Sequence, residues 1–212
     1  MIQKTPQAER FKQQLRDSLQ REVLNTRSIT IAKHSHIYTC GDSGETVYFI
    51  EGGQVKLLMI SPAGKEGLLD IYTAGDIFGE SCLAGLGLRM ETATAMEETT
   101  LKQIPCARFI ARLSSDGLFE GFVQYLVVRI ADQQQLIANL VSMDSEQRLG
   151  KTLLQLAHKL GRKTASDVCI EHKISQEELS EMVGTTRPRI NVYAAFSESW
   201  AGRDQHHEFP CH

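Results

Sequence analysis

The sequence predicts an α+β fold: an N-terminal antiparallel β-roll of jelly-roll type, a long helix, and a C-terminal helix-turn-helix. Three observations carry this. Between Ile29 and Ile104 short β-rich runs alternate with glycine and proline turns, as in a sandwich, jelly roll or barrel. From Leu118 to Met143 apolar residues recur every three or four positions, the period of an amphipathic helix. Beyond Ile174 a capped helix, a glycine turn and a second helix opening on arginines follow in succession.

The elements follow in order. Phe11, Leu15, Leu19 and Val23 recur every fourth residue among charges, so Glu9–Asn25 is expected as a short amphipathic helix. The expected strands are Ser28–Ala32, Thr46–Ile50, Gln54–Ile60, Leu68–Tyr72, Thr92–Ala95 and Thr100–Ile104. Turns at Gly41-Asp42, Gly52-Gly53, Pro62-Ala63-Gly64 and Gly75-Asp76 separate them. In the long helix Val123, Leu126, Ile130, Gln133, Ile137 and Leu140 form an a/d seam with one polar position. Such a stripe calls for a partner helix, and a parallel homodimer is the expected arrangement. Leu149, Leu153, Leu156, Ala157 and Leu160 make another amphipathic helix ended by Gly161, and Val168–Ile170 a short strand. Ser175 with Glu178 three residues on is a capping box, and that helix breaks at Gly184. Thr185 or Thr186 caps the next helix, with Pro188 in its first turn. The chain therefore divides into 1–117, the helix 118–143, and 144–212.

Composition narrows the classes. Hydrophobic residues at 42% and charged residues at 23% suit an ordinary globular chain. A net charge of −3 argues against avid whole-surface binding to nucleic acid or membrane, while a local basic patch stays allowed. Met1–Arg21 has no apolar core and no run approaches the roughly 18 residues of a span, so a cytoplasmic protein without membrane contact is expected. Cys40, Cys82, Cys106, Cys169 and Cys211 show neither a disulfide framework nor paired metal-ligand spacing; reduced, mostly buried thiols and no metal site are expected. No GxxxxGK[ST], HExxH or GxSxG occurs, so the chain is not expected to be an enzyme.

The second helix of a helix-turn-helix enters a major groove by its N-terminal residues. Arg187 and Arg189 stand there, able to bond guanine O6 and N7, beside Thr185 and Thr186, which suit phosphate or thymine-methyl contact. With Gly64-Lys65-Glu66, Ala74-Gly75-Asp76-Ile77-Phe78-Gly79-Glu80, Asp144-Ser145-Glu146-Gln147-Arg148-Leu149 and Ile174 to Gly184, the chain from Ile29 to Ile190 resembles the CRP/FNR family of bacterial transcription regulators. The resemblance implies a cyclic-nucleotide-binding-like β-roll that senses a small effector, a dimerising helix, and a winged helix-turn-helix. The implied partners are DNA with two-fold-related half-sites and RNA polymerase.

On that resemblance the effector-binding residues are Leu69, Asp70, Gly79, Glu80, Ser81, Arg89, Gln133 and Gln134, and the DNA-binding residues are Ser175, Gln176, Thr185, Thr186, Arg187 and Arg189. Glu80 would accept a ribose hydroxyl, or else serve as a structural carboxylate bonding nearby backbone N–H groups. The family's phosphate element is degraded to Leu88-Arg89-Met90-Glu91-Thr92-Ala93, where only Arg89 survives and Glu91 would repel a phosphate. Gln133 and Gln134 replace the family's base-contacting hydroxyl pair. The effector is accordingly unknown, with cyclic AMP an open candidate. An iron–sulfur cluster is not expected, since the first cysteine is Cys40. His34 and His36, placed on a strand, read as surface histidines and not as haem ligands; Cys82 reads as a small buried thiol more readily than as a redox sensor. Pro188 and Val192 replace two base readers of the best-known members, so the half-site should differ.

From Asn191 onward strand alternation and basic charge fade, where the family builds its wing. A one-nucleotide frameshift near codon 191 accounts for this, because a frame shifted forward by one base permits TFMQRFRKAGLVETNTMNFLV, with a basic helix, Gly-Leu turn and wing strand. The wing is then missing or altered. The alternative function is a cyclic-nucleotide-binding regulatory module that contacts a protein partner instead of DNA.

Overall fold

The computed structural model describes residues 6–21, 27–60, 66–163, 168–170 and 174–192. Val23, Gly64, Lys65, Cys211 and the stretch beyond 192, on which the frameshift expectation falls, lie outside these described residues. Two compact units are formed, Met1–Leu136 and Ile137–His212.

In the first unit, helix α1 (Pro6–Arg21) buries Phe11, Leu15 and Leu19, as their spacing predicts, and begins three residues before the expected Glu9. Strands β1 (Arg27–Ile31), β2 (His36–Tyr38), β3 (Thr46–Gly52), β4 (Gln54–Ile60), β5 (Glu66–Thr73), β6 (Ile77–Phe78), β7 (Thr92–Ala95) and β8 (Thr99–Pro105) build two antiparallel sheets. Their orders are β1-β8-β3-β6 and β2-β7-β4-β5. The antiparallel roll and the α+β class are thus as the sequence indicated. A 3-10 helix, Glu80–Ala84, follows β6, and α2 (Cys106–Ser115) follows β8.

Strand β3 explains how the roll is layered. Successive side chains on a strand point to opposite faces. Tyr48 and Ile50 enter a core with Tyr38, Val55, Leu57, Tyr72, Phe78, Ala93 and Leu101, drawn from both sheets. Val47 and Phe49 enter a second core with Phe11, Leu15, Phe109, Leu113, Phe122 and Tyr125, drawn largely from the helices. Both faces of β3 are therefore buried.

Helix α3 (Phe119–Ser142) matches the expected long helix within one residue at each end. Leu126 departs from the expected seam, because it packs partly against the helical core. The rest of the seam stays open: Val123, Ile130, Gln133, Ile137 and Leu140 are all exposed, and Val127 beside them is too. No helix among the described residues is long and apolar enough to cross a membrane.

In the second unit, Asp144 caps α4 (Ser145–Leu160), its side chain accepting from the Gln147 N–H at 2.8 Å. Gly161 ends α4 in extended backbone and begins β9 (Gly161–Lys163), which pairs with β10 (Val168–Ile170). Helix α5 (Gln176–Val183) has the expected capping box at Ser175 and Glu178 and ends on left-handed Gly184 (φ 65°). A further helix runs through residues 187–192.

Candidate functional site

Two places gather the residues singled out in the sequence. The first lies in the β-roll, where β6 turns into the 3-10 helix. Gly79 takes left-handed backbone there (φ 77°). A Cβ on it would stand 2.7 Å from Arg89 Nη1, so this glycine makes room for the arginine as well as for the turn.

Arg89 is almost wholly buried. It donates to the carbonyl of Gly79 at 2.8 Å and to that of Thr46, and its guanidinium stacks on Tyr38 at 4.3 Å. A desolvated cation on an aromatic face gains about 2 kcal/mol. The arginine offered to a phosphate by resemblance is thus held on backbone oxygens here, with only Nε left without a partner. Glu91 accepts from the Tyr38 hydroxyl at 2.8 Å. Burial, reinforced by this carboxylate, holds the Tyr38 phenol far above its ordinary pKa, so it stays a donor.

Glu80 pairs with Arg129 of α3 at 2.8 Å, and not with backbone N–H groups. Arg129 also donates to the Tyr72 hydroxyl and stacks on Tyr72 at 4.9 Å and Tyr125 at 5.7 Å. Burial alone would lower its pKa, but its surroundings, led by Tyr72 and Glu80, raise it, so the charge is fixed. The sequence reading missed Arg129. Its signal was a lone cation on the apolar part of the helix, four residues after Tyr125. The Ser81 hydroxyl is buried without a hydrogen-bond partner. Leu69, exposed, sits at a bulge where Leu57 pairs with Asp70 and Leu58 with Leu68. Asp70 accepts from the Ile71 N–H at 2.8 Å. Gln133 and Gln134 lie exposed on α3. The structure therefore gathers Gly79, Glu80, Ser81 and Arg89 around one turn.

Two other expectations are corrected. His34 is not on a strand: it occupies a turn with left-handed backbone (φ 66°), and only His36 begins β2, its Nδ1 2.9 Å from Thr94 Oγ1. Nor are the described thiols buried: Cys40 is exposed, and Cys82 and Cys106 are half-buried. Among the described residues no group of three metal-ligating side chains occurs.

The second place is the turn between α5 and the helix at 187–192. Ser175 accepts from the Glu178 N–H at 3.1 Å while Glu178 accepts from the Ser175 N–H at 2.9 Å. Arg148 of α4 fixes the turn, donating to the carbonyls of Val183 at 2.7 Å and Gly184 at 3.3 Å. That role was not legible in the motif containing Arg148. The Thr186 carbonyl accepts from Arg189 and Ile190, which starts the next helix as expected. Gln176, Thr186, Arg187 and Arg189 are exposed, and Arg187 lies 3.9 Å from Glu177. Two arginines thus face solvent at a helix start behind a rigid turn, the layout of a helix-turn-helix.

The roll belongs to a known class. The family description of the cyclic nucleotide-binding domain matches residues 28–116. The chain is 30% identical over 159 residues to the cAMP-activated global transcriptional regulator CRP of Pasteurella multocida, covering 74% of this chain and 75% of the relative. A CRP-like cAMP-activated global transcriptional regulator of Mycobacterium tuberculosis is 29% identical over 158 residues, 73% of this chain and 70% of the relative. Among solved structures, the c-di-GMP-responsive global regulator CLP of Xanthomonas campestris shares the fold at TM-score 0.72 and 19% identity, covering 92% of this chain and 96% of that one. A CooA mutant from Carboxydothermus hydrogenoformans matches at TM-score 0.68 and 25% identity, covering 82% and 77%. The chain belongs to the CRP/FNR family of transcription regulators. Its relatives are regulators and not enzymes.

Proposed function

We propose that the chain is an effector-gated transcription regulator that binds DNA as a homodimer and works with RNA polymerase in the cytoplasm. The carrying observation is the face of α3, a 24-residue helix on which Val127, Ile130, Ile137 and Val141 are more than half exposed. A stripe of that length calls for cover, and the same helix of a second copy supplies it along its whole length. Two copies then present two helix-turn-helix units to two-fold-related half-sites, with Ser175, Gln176, Thr185 and Thr186 positioning the backbone and Arg187 and Arg189 reading bases.

The effector site is the turn at Gly79, Glu80, Ser81 and Arg89, with Leu69, Asp70, Gln133 and Gln134 as further contacts. A phosphate entering it competes with the carbonyls of Gly79 and Thr46 for Arg89, and a ribose hydroxyl competes with Arg129 for Glu80. Cyclic AMP, named for the relatives, is the first candidate to test. Gating is a population shift, so the effector must bind one arrangement of the dimer more tightly than the other.

Sedimentation velocity tests the dimer: the native chain should sediment as a dimer and the Ile130→Asp/Ile137→Asp variant as a folded monomer that no longer binds operator. A monomeric native chain overturns the reading. Thermal shift with cyclic AMP, cyclic GMP and cyclic dinucleotides tests the effector, since a ligand at 100 times its Kd adds about 2.7 kcal/mol. If residues 191–212 are out of frame, the frame-restored chain should bind DNA more tightly and with a steeper salt dependence than the present one.

A further inference from the structure

Cys82 and Cys106 are distant in sequence but adjacent in the roll. Cys82 lies in the 3-10 helix after Gly79, and Cys106 is the first residue of α2. The backbone fixes both positions. The Cys106 N–H donates to the Glu45 carbonyl at 2.9 Å, and the Cys82 carbonyl accepts from Gly85 at 3.1 Å. The 3-10 helix packs beside α2, and the two thiols are near enough to influence each other electrostatically. Both are half-buried, and both line a surface cavity of about 400 Å³ walled also by Gly44, Glu45, Gly85 and Gly87. Cys82 packs on the helical core on one side, yet with Cys106 it also faces the cavity, so small molecules can reach the pair.

We propose that Cys82 and Cys106 are a redox-reactive dithiol that a peroxide closes into a disulfide. One thiolate attacks a peroxide oxygen, the O–O bond breaks, and a sulfenic acid and an alcohol (water, from hydrogen peroxide) result. The second sulfur attacks the sulfenic sulfur, the S–O bond breaks, and hydroxide leaves as water with the second thiol's proton. Two thiols lose two electrons and two protons, and the peroxide is reduced. Burial and the neighbouring Cys106 push the Cys82 thiol up to about 12, so Cys82 stays protonated and takes the second, resolving step. The bond ties the 3-10 helix that carries Glu80 and Ser81 to the start of α2. It requires nothing of the effector's identity, so it stands or falls separately from ligand binding.

The test treats the reduced full-length protein with one equivalent of hydrogen peroxide, then maps it by non-reducing proteolysis and mass spectrometry. A peptide linked through Cys82 and Cys106 is expected, with two thiols lost per chain and Cys40 still open to alkylation. The oxidised form should melt about 5 °C higher and revert with reductant, because the link closes a loop in the unfolded chain. Cys82→Ser should accumulate a dimedone-trapped sulfenic acid at Cys106, whereas Cys106→Ser should leave Cys82 reduced. Oxidation of Cys40 while Cys82 and Cys106 remain free, or scrambled links among several cysteines, overturns the proposal. The native-chain cross-link decides the matter even where a variant folds poorly.

Discussion

Inside the β-roll, Arg89 and Arg129 lie against tyrosine rings with carbonyls and a carboxylate as partners; along α3, Val127, Ile130, Ile137 and Val141 stand open to water. The first region places charge where water is scarce and satisfies it from within. The second leaves apolar surface where water is plentiful. A buried cation is tolerated only with its partners in place, whereas an exposed apolar stripe is completed from outside. The roll is thus satisfied from within, and the helix keeps an apolar face open, the face on which the proposed dimer rests.

The contrast yields graded expectations. Arg89→Ala should have the largest effect, roughly 3 kcal/mol or more in a urea melt, because it strands one buried and one half-buried carbonyl and uncovers the Tyr38 face. A loss below about 1 kcal/mol would show that the arginine is not structural. Gly79→Ala should cost about 2–3 kcal/mol in the same melt, since the new Cβ meets Arg89 in backbone that L side chains avoid. On the open side, Val127→Lys should leave dilute protein as stable as before while removing the rise of Tm with protein concentration that a dimer shows. Ser175→Ala should cost about 1 kcal/mol, and a variant equal to the native chain would mean that the capping box contributes nothing.

The smallest effect concerns pH. The Ser18 hydroxyl donates to Asp116 and holds that carboxyl below its ordinary range. The group is depressed in the folded state, so its stabilisation is present above about pH 4 and is lost as pH falls through the lower folded value. Ser18→Ala should therefore narrow the difference in Tm between pH 6 and pH 3.

The same contrast separates what the sequence disclosed from what it did not. The β-rich run Val47 to Ile50, the four-residue spacing of Phe11, Leu15 and Leu19, and the Ser175–Glu178 box are local patterns, and each produced its element. The two-residue strand β6 and the three-residue strand β2 are too short to show a period. Helix α2 has only Phe109 and Leu113 as its buried pair and was missed. In the candidate site, Glu80 and Arg89 were visible as motif residues, but their partners were not. Arg129 meets Glu80 only after the chain has folded, and the Gly79 and Thr46 carbonyls that hold Arg89 belong to backbone, which no side-chain pattern reports.

Strand β3 carries one further consequence. Because Tyr48 and Ile50 serve one core while Val47 and Phe49 serve the other, the strand acts as a shared wall. Deleting a single residue between Thr46 and Gly52 would exchange the contents of both rooms at once, sending tyrosine among the helices and phenylalanine between the sheets. In a library of one-residue insertions and deletions, β3 should be a silent gap.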